Sequence, residues 1–174
     1  MKTLLTITDK DITGSDKLSS AKPRIAVGVV LFDSDNNIAV SHIGSFGIHM
    51  LPGGGVDDGE DFQAAAKREM WEEAGCQCEI ICEIGKTYEN RGEDDWAQEK
   101  YHYLARVIGE KGELHLEDYE IESGTTVQWY PLRQALQIIS QQQHENAYRW
   151  EFLKRRDVAV LKEATRMMQG KMPK

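Results

Sequence analysis

Glu69, Glu72 and Glu73 stand within five residues, shortly after the stretch GGGVDDGE at 53–60. At 100° per residue, a helix brings the three carboxylates into an arc of about 100°. Like charges so placed repel. A surface helix commonly sets Lys four residues after Glu, yet Glu69 is followed there by Glu73. A bound divalent cation relieves this repulsion, and oxygen ligands suit Mg2+ or Mn2+. An acidic run also suits a solvated helix face. Gly53, Gly54 and Gly55 favour the cation, because glycines just before a helix permit positive φ and let backbone approach a ligand closely.

The elements that must hold these residues are legible nearby. Asp61 can cap a helix through AAAKREMWEEA, and Gly75 stands where a left-handed residue ends one. Before the glycines, Arg24–Phe32 is a β-branched apolar run, DSDNN at 33–37 is turn chemistry, and Ile38–His42 resumes the alternation, which together describe a hairpin. After the helix, Glu79–Tyr88 and Lys100–Ile108 read as strands joined through NRGEDD, followed by a short strand at Val127–Tyr130 that Pro131 ends. Leu132–Ser140 and Ala147–Met168 carry apolar residues at helical spacing. Residues 3–8 suit a strand, and the polar, turn-rich 9–23 reads as a linker. The expected division is therefore an N-terminal strand, arm and linker over 1–22 and a single domain with C-terminal helices over 23–174.

At 174 residues, one domain is expected. No apolar run reaches the length needed to span a bilayer, and the first residues lack the uninterrupted apolar core of a signal peptide, so a cytoplasmic protein without membrane partners is expected. Net charge is −8 with no Lys/Arg stripe, which disfavours a nucleic-acid partner, whereas carboxylate-held cations leave a small phosphorylated substrate open. Cys76, Cys78 and Cys82 lack paired CxxC spacing, and a zinc site would need a fourth ligand such as His102; reduced, packed thiols are the expectation.

The glycines and acids together resemble the box of the Nudix hydrolases, G-x5-E-x7-R-E-U-x-E-E-x-G-U with U aliphatic. Gly54, Glu60, Arg68, Glu69, Met70, Glu72, Glu73, Gly75 and Cys76 fill its places in register, with Met70 and Cys76 softer than usual. The resemblance covers Leu51–Cys76 and implies an α/β fold, an α/β/α sandwich around a mixed sheet. It also implies hydrolysis of a nucleoside diphosphate derivative by attack of water on phosphorus. Glu69, Glu72, Glu73 and the Gly53 carbonyl would bind one to three Mg2+, with Mn2+ a substitute, and Arg68 would pair with Glu60 to hold the glycine loop against the helix. The general base is either Glu69 or an acid of the later segment, where Glu120 or Glu122 is preferred over Glu117 and Asp118 as a late metal ligand or base.

Substrate contacts are expected from Gly53, Gly54, Gly55, His42 and Arg91, with His49, Lys86 and Arg106 as further phosphate partners and Tyr88, Trp96, Tyr101 and Tyr103 as stacking candidates. A nucleoside triphosphate is the default substrate. The rivals are a nucleotide-sensing module without catalysis, an isoprenoid diphosphate isomerase, and an RNA 5′-end hydrolase that a basic groove leading to the glycine loop would revive. A homodimer is open, because no apolar face can be mapped from sequence.

Overall fold

A computed structural model describes residues 1–144 and 147–170. Positions 171–174 of the expected domain lie outside the described residues. Strand β1 (Thr3–Thr8) and a four-residue helix α1 (Asp9–Ile12) precede β2 (Arg24–Phe32), β3 (Asn37–Ile43) and β4 (Ile48–Met50). Helix α2 (Phe62–Ala74), the long strands β5 (Gln77–Arg91) and β6 (Trp96–Ile108), short α3 (Asp118–Glu122), β7 (Thr125–Pro131), α4 (Leu132–Gln141) and α5 (Ala147–Gln169) follow.

The strands form one mixed sheet in the order β1-β5-β6-β2-β3-β4, with β7 paired to β3. Strands β2 and β6 run parallel in unbroken register from Arg24 opposite Gln98 to Phe32 opposite Arg106. Alternation along β2 divides the core into two layers. Val27, Val29 and Leu31 face Ala65, Ala66, Met70 and Ala74 of α2. Val30 and Phe32 face the other way, onto Ala135 and Ile139 of α4 and Val160, Leu161 and Ala164 of α5. The result is the α/β/α sandwich around a mixed sheet that the sequence resemblance implies. Among the described residues, no helix is long and apolar enough to cross a membrane.

Local chemistry accounts for the element ends. The Asp61 carboxylate accepts the amides of Gln63 and Ala64 at 2.9 and 3.2 Å, and Gly75 ends α2 in the left-handed region at φ 62°. Asp33 Oδ1 accepts the amides of Asp35 and Asn37, which shapes the β2–β3 turn. Cys76 and Cys78 are buried free thiols, and burial pushes the Cys78 thiol up to about 11.

Two features differ from the sequence expectation. Strands β5 and β6 extend to a tight turn after Arg91, beyond the expected ends at Tyr88 and Lys100, because their outer residues pack under α5 and the arm instead of facing water. Residues 9–23 are also held more closely than the word linker suggests. Asp9 is fully buried: its Oδ2 accepts the Glu93 amide at 2.8 Å and its Oδ1 the Tyr148 hydroxyl at 2.5 Å. Ser19 exchanges backbone bonds with the Asn90 side chain, and β1 pairs in parallel with β5. A polar, turn-rich composition records only that the segment lacks apolar side chains, not whether its polar groups find partners.

Candidate functional site

The glycine loop is fixed from three sides. A Cβ on Gly53 would stand 2.3 Å from the Val27 carbonyl oxygen, one on Gly54 2.5 Å from the Glu69 carboxylate, and one on Gly55 2.8 Å from the Arg24 guanidinium. Gly53 also has a φ of 130°, where side chains are strained. The loop therefore lies directly on β2, with the Gly54 carbonyl accepting the Val27 amide at 2.9 Å.

Arg68 ties the loop to the helix as expected from its place in the motif. Its Nε and Nη2 each reach Glu60 at 3.0 Å, Nη2 also donates to the Gly55 carbonyl at 2.9 Å, and Nη1 donates to Glu69 and Glu72 at 2.9 Å. One guanidinium thus fastens the loop and orients two of the three glutamates. Glu73 turns beneath the loop, where its Oε2 accepts the Gly53 amide at 2.9 Å.

Of these residues, Gly53, Gly54 and Glu73 open onto a cleft of about 600 Å3. Gly53, Gly54 and Glu73 line one wall, joined by Glu120 and Glu122 from α3. Burial pushes the Glu73 carboxyl up to about 7; the Gly53 amide and Lys100 pull it down, while Glu69 and Glu120 add to the rise. Burial likewise raises Glu69, against the pull of Arg68. Lys100 is 4% exposed, its Nζ donates to the Gly53 carbonyl at 3.3 Å, and burial and Arg156 lower it to about 8 against the pull of Asp157, Glu73 and Glu89.

The donor set fits a hard divalent cation. Glu73 stands in the field of both Glu69 and Glu120, all three largely buried and offering oxygen donors. Among the described residues, no group of three or more His, Cys, Asp or Glu is disposed to enclose a cation. Mg2+ does not require an enclosure, since it usually keeps several waters and takes one or two carboxylates.

The other sequence candidates separate by strand parity. Ser41 and Ile43 of β3 line the cleft, so His42 between them points to the opposite face, where its ring lies 4.5 Å from that of His49. His42 is therefore not brought to the cleft. Arg91 and Trp96 do line it, whereas Tyr101 packs on Phe62, Tyr103 is in the core, and Lys86 pairs with Glu99. Among the basic residues of the cleft, Arg24, Lys100 and Arg156 escaped notice in the sequence. A signal for Lys100 was present in RIAVGVVLF. A Cβ on Gly28 would stand 2.8 Å from both Lys100 Cε and His102 Nδ1, and a glycine inside a β-branched strand marks such a close approach.

The sequence matches the profile of the NUDIX domain over residues 22–151. The chain belongs to the NUDIX family. It is 45% identical over 60 residues to Nudix hydrolase 25 of Arabidopsis thaliana, covering 33% of this chain and 34% of that protein. It is 35% identical over 75 residues to an RNA pyrophosphohydrolase of Roseobacter denitrificans, covering 42% and 43%. A third relative, an RNA pyrophosphohydrolase of Bradyrhizobium diazoefficiens, is 28% identical over 116 residues, covering 55% and 68%. The matches thus span from about a third to about two thirds of these relatives. Among solved structures, a NUDIX hydrolase from Nitrosomonas europaea superposes with a TM-score of 0.62 at 14% identity, covering 83% of this NUDIX chain and 90% of that one. A C. elegans Ap4A hydrolase complex does so with 0.59 at 19% identity, covering 85% and 99%. These two likenesses concern the fold.

Proposed function

We propose that this NUDIX protein hydrolyses a diphosphate linkage in a nucleoside diphosphate derivative, with a nucleoside triphosphate as the default substrate. The observation that carries the reading is the convergence of Glu73 and Glu120 beside the Gly53 backbone in the cleft, with Glu69 in the field of Glu73. Glu69, Glu72 and Glu73, with the Gly53 carbonyl, would hold Mg2+, for which Mn2+ can substitute. The cation, when bound, supplies charge neutralisation at the diphosphate oxygens and lowers the proton affinity of water.

The chain's own groups do the remaining work. Arg68 holds Glu69 and Glu72 in place and keeps the glycine loop against α2. The glycines let the diphosphate approach backbone without side-chain obstruction. Glu120 is the preferred base over Glu122, because it is buried and faces Glu73, while its backbone sits in a turn closed by its own Oε2 and the Glu117 amide at 2.9 Å. Glu69 serves less well as base, since it is ion-paired to the Arg68 guanidinium at 2.9 Å, whereas Glu120 accepts from a neutral backbone amide. At the mouth, Tyr119 is 65% exposed, which leaves its ring open to a nucleobase, while Phe46 packs against Trp150 with ring centroids 5.2 Å apart.

A second reading is an RNA 5′-end pyrophosphohydrolase. It is favoured by the basic side chains Arg24, Arg91, Lys100 and Arg156 in the cleft and by the names of the two bacterial relatives. Lys100, Arg91 and Arg156 are buried within a nucleotide-sized cavity, however, and do not form an exposed track for a strand. The single-nucleotide substrate is accordingly preferred.

The test is Mg2+-dependent hydrolysis of nucleoside triphosphates, nucleotide sugars, ADP-ribose, dinucleoside polyphosphates and a 5′-triphosphorylated oligonucleotide, with products identified. Glu72→Gln is expected to lower turnover by about a thousandfold or more with the fold unchanged. Turnover of the same substrate at the wild-type rate by Glu72→Gln in saturating Mg2+ would sink the assignment.

A further inference from the structure

The cleft has a second polar wall, away from the glutamates. Arg91, at the end of β5, and Arg156, on α5, share the buried Glu89: Arg91 Nη2 donates to its Oε2 at 2.6 Å and Arg156 Nη1 to its Oε1 at 3.2 Å. Arg156 Nε donates to Asp157 Oδ1 at 2.7 Å, and Asp157 Oδ2 accepts the Leu51 amide at 2.9 Å. The Arg91 guanidinium lies 4.2 Å from the Trp96 ring centroid and 5.1 Å from that of Phe152. Both arginines are thus held rigidly, at 8% and 3% exposure.

Yet their donors are not all used. Arg91 Nε and Arg156 Nη2 are buried and have no acceptor among the described residues. Buried guanidinium N–H groups without acceptors are costly. Arg91 and Arg156 share Glu89, Arg156 also pairs with Asp157, and Lys100 beside them lies in the field of Asp157, Glu73 and Glu89. Arg91, Arg156 and Lys100 line the cleft that Glu73 and Glu120 line. The wall joins Arg91 of β5, inside the NUDIX match over 22–151, to Arg156 of α5 beyond it.

We propose that Arg91 and Arg156 form an oxyanion subsite for a phosphoryl group of the substrate that lies outside the cleaved linkage. This rests on the hydrolase reading above. Two planar guanidinia offering N–H groups from different elements match the tetrahedral oxygens of a phosphoryl group, and in a dry wall each such bond is charge-assisted. The glutamate wall repels an uncovered phosphate and needs a cation to accept one; the arginine wall does not. A substrate with phosphates at both ends of its polar part is held at two points, which fixes the linkage presented to Glu120.

The test begins without metal. In EDTA, inorganic phosphate is titrated into the full chain by calorimetry. Saturable one-site binding is expected, weakened at least tenfold in both Arg91→Lys and Arg156→Lys, which keep the charge and lose the fork. Arg149→Ala, on the same helix but exposed and paired with Asp94, is the control that binds as wild type. Circular dichroism establishes that each variant is folded, and if Arg156→Lys is not, Arg91→Lys and the wild-type titration decide. With Mg2+ and the substrate found by screening, phosphate is expected to inhibit competitively, and Arg91→Lys to raise KM about tenfold with kcat retained. Absent saturable binding, binding unchanged in the Lys variants, or non-competitive inhibition overturns the subsite. Turnover absent from every substrate while phosphate binding survives overturns the hydrolase reading instead.

Discussion

A methyl group at Gly54 would meet the Glu69 carboxylate 2.5 Å away, whereas one at Gly53 would meet the backbone of β2 at 2.3 Å. The two neighbouring alanine variants therefore part company. Gly54→Ala is expected to displace Glu69 and lower turnover by about a hundredfold while losing only about 1 kcal/mol of stability, since a flexible carboxylate can yield. Gly53→Ala combines a strained φ with a backbone clash and is expected to lose about 3 kcal/mol or more. Urea midpoints read beside initial rates separate them, and equal losses of stability would contradict this account. At this scale the sequence was most informative where residue type is forced by close approach. The glutamates and glycines were named from their spacing, and Glu60 and Arg68 from the resemblance to the Nudix box; the contacts between them run between residues near in sequence. His42 failed to reach the cleft for a reason equally simple: in a strand, a neighbour of a cleft residue faces away.

Helix α5 shows what a hydropathy pattern hides. The stretch KRRD at 154–157 reads as a solvated face, yet Arg156 lies four residues from both Phe152 and Val160, inside the apolar stripe that faces the sheet. The spacing held the signal; the residue types concealed it, because charged side chains enter a core only when another element supplies partners. Here that element is β5, through Glu89. Burial opposes the Glu89 charge, but Arg156 and Arg91 outweigh it and hold the carboxyl below its ordinary range. A depressed carboxyl contributes stability that is fully present above its unfolded value near pH 4.3 and is lost as pH falls through the folded value. Glu89→Gln is thus expected to cost about 3–5 kcal/mol at pH 7, where two guanidinia lose their counter-charge, and less near pH 3. Denaturant unfolding at the two pH values measures the difference; a gap that widened at low pH would contradict the pairing.

Across the whole molecule, the arm, the β5–β6 turn and α5 meet at one buried side chain, Asp9. Tyr148→Phe removes the hydroxyl that Asp9 Oδ1 accepts and is expected to cost about 1–3 kcal/mol. Limited proteolysis between α1 and β2 should quicken in that variant, and an unchanged cleavage rate would show that the arm is held by other contacts. The sandwich itself was legible: alternation in β2, the caps of α2 and the helical spacing after Pro131 each placed an element. The arm was not, because its attachment depends on partners about 80 positions away, such as Asn90 and Glu93, and no local pattern records a contact of that range.

The parallel register of β2 with β6 sets a constraint in time as well as in space. Arg24 meets Gln98 and Gly28 meets His102 only after a loop holding the whole of α2 and β5 has closed, and pairings of that range make folding slow. Lys100 reaches the Gly53 carbonyl through the same event. The wall that carries Lys100 is therefore completed only with the β2–β6 pairing. After dilution from denaturant, ligand binding and the far-ultraviolet signal should return with one common time constant.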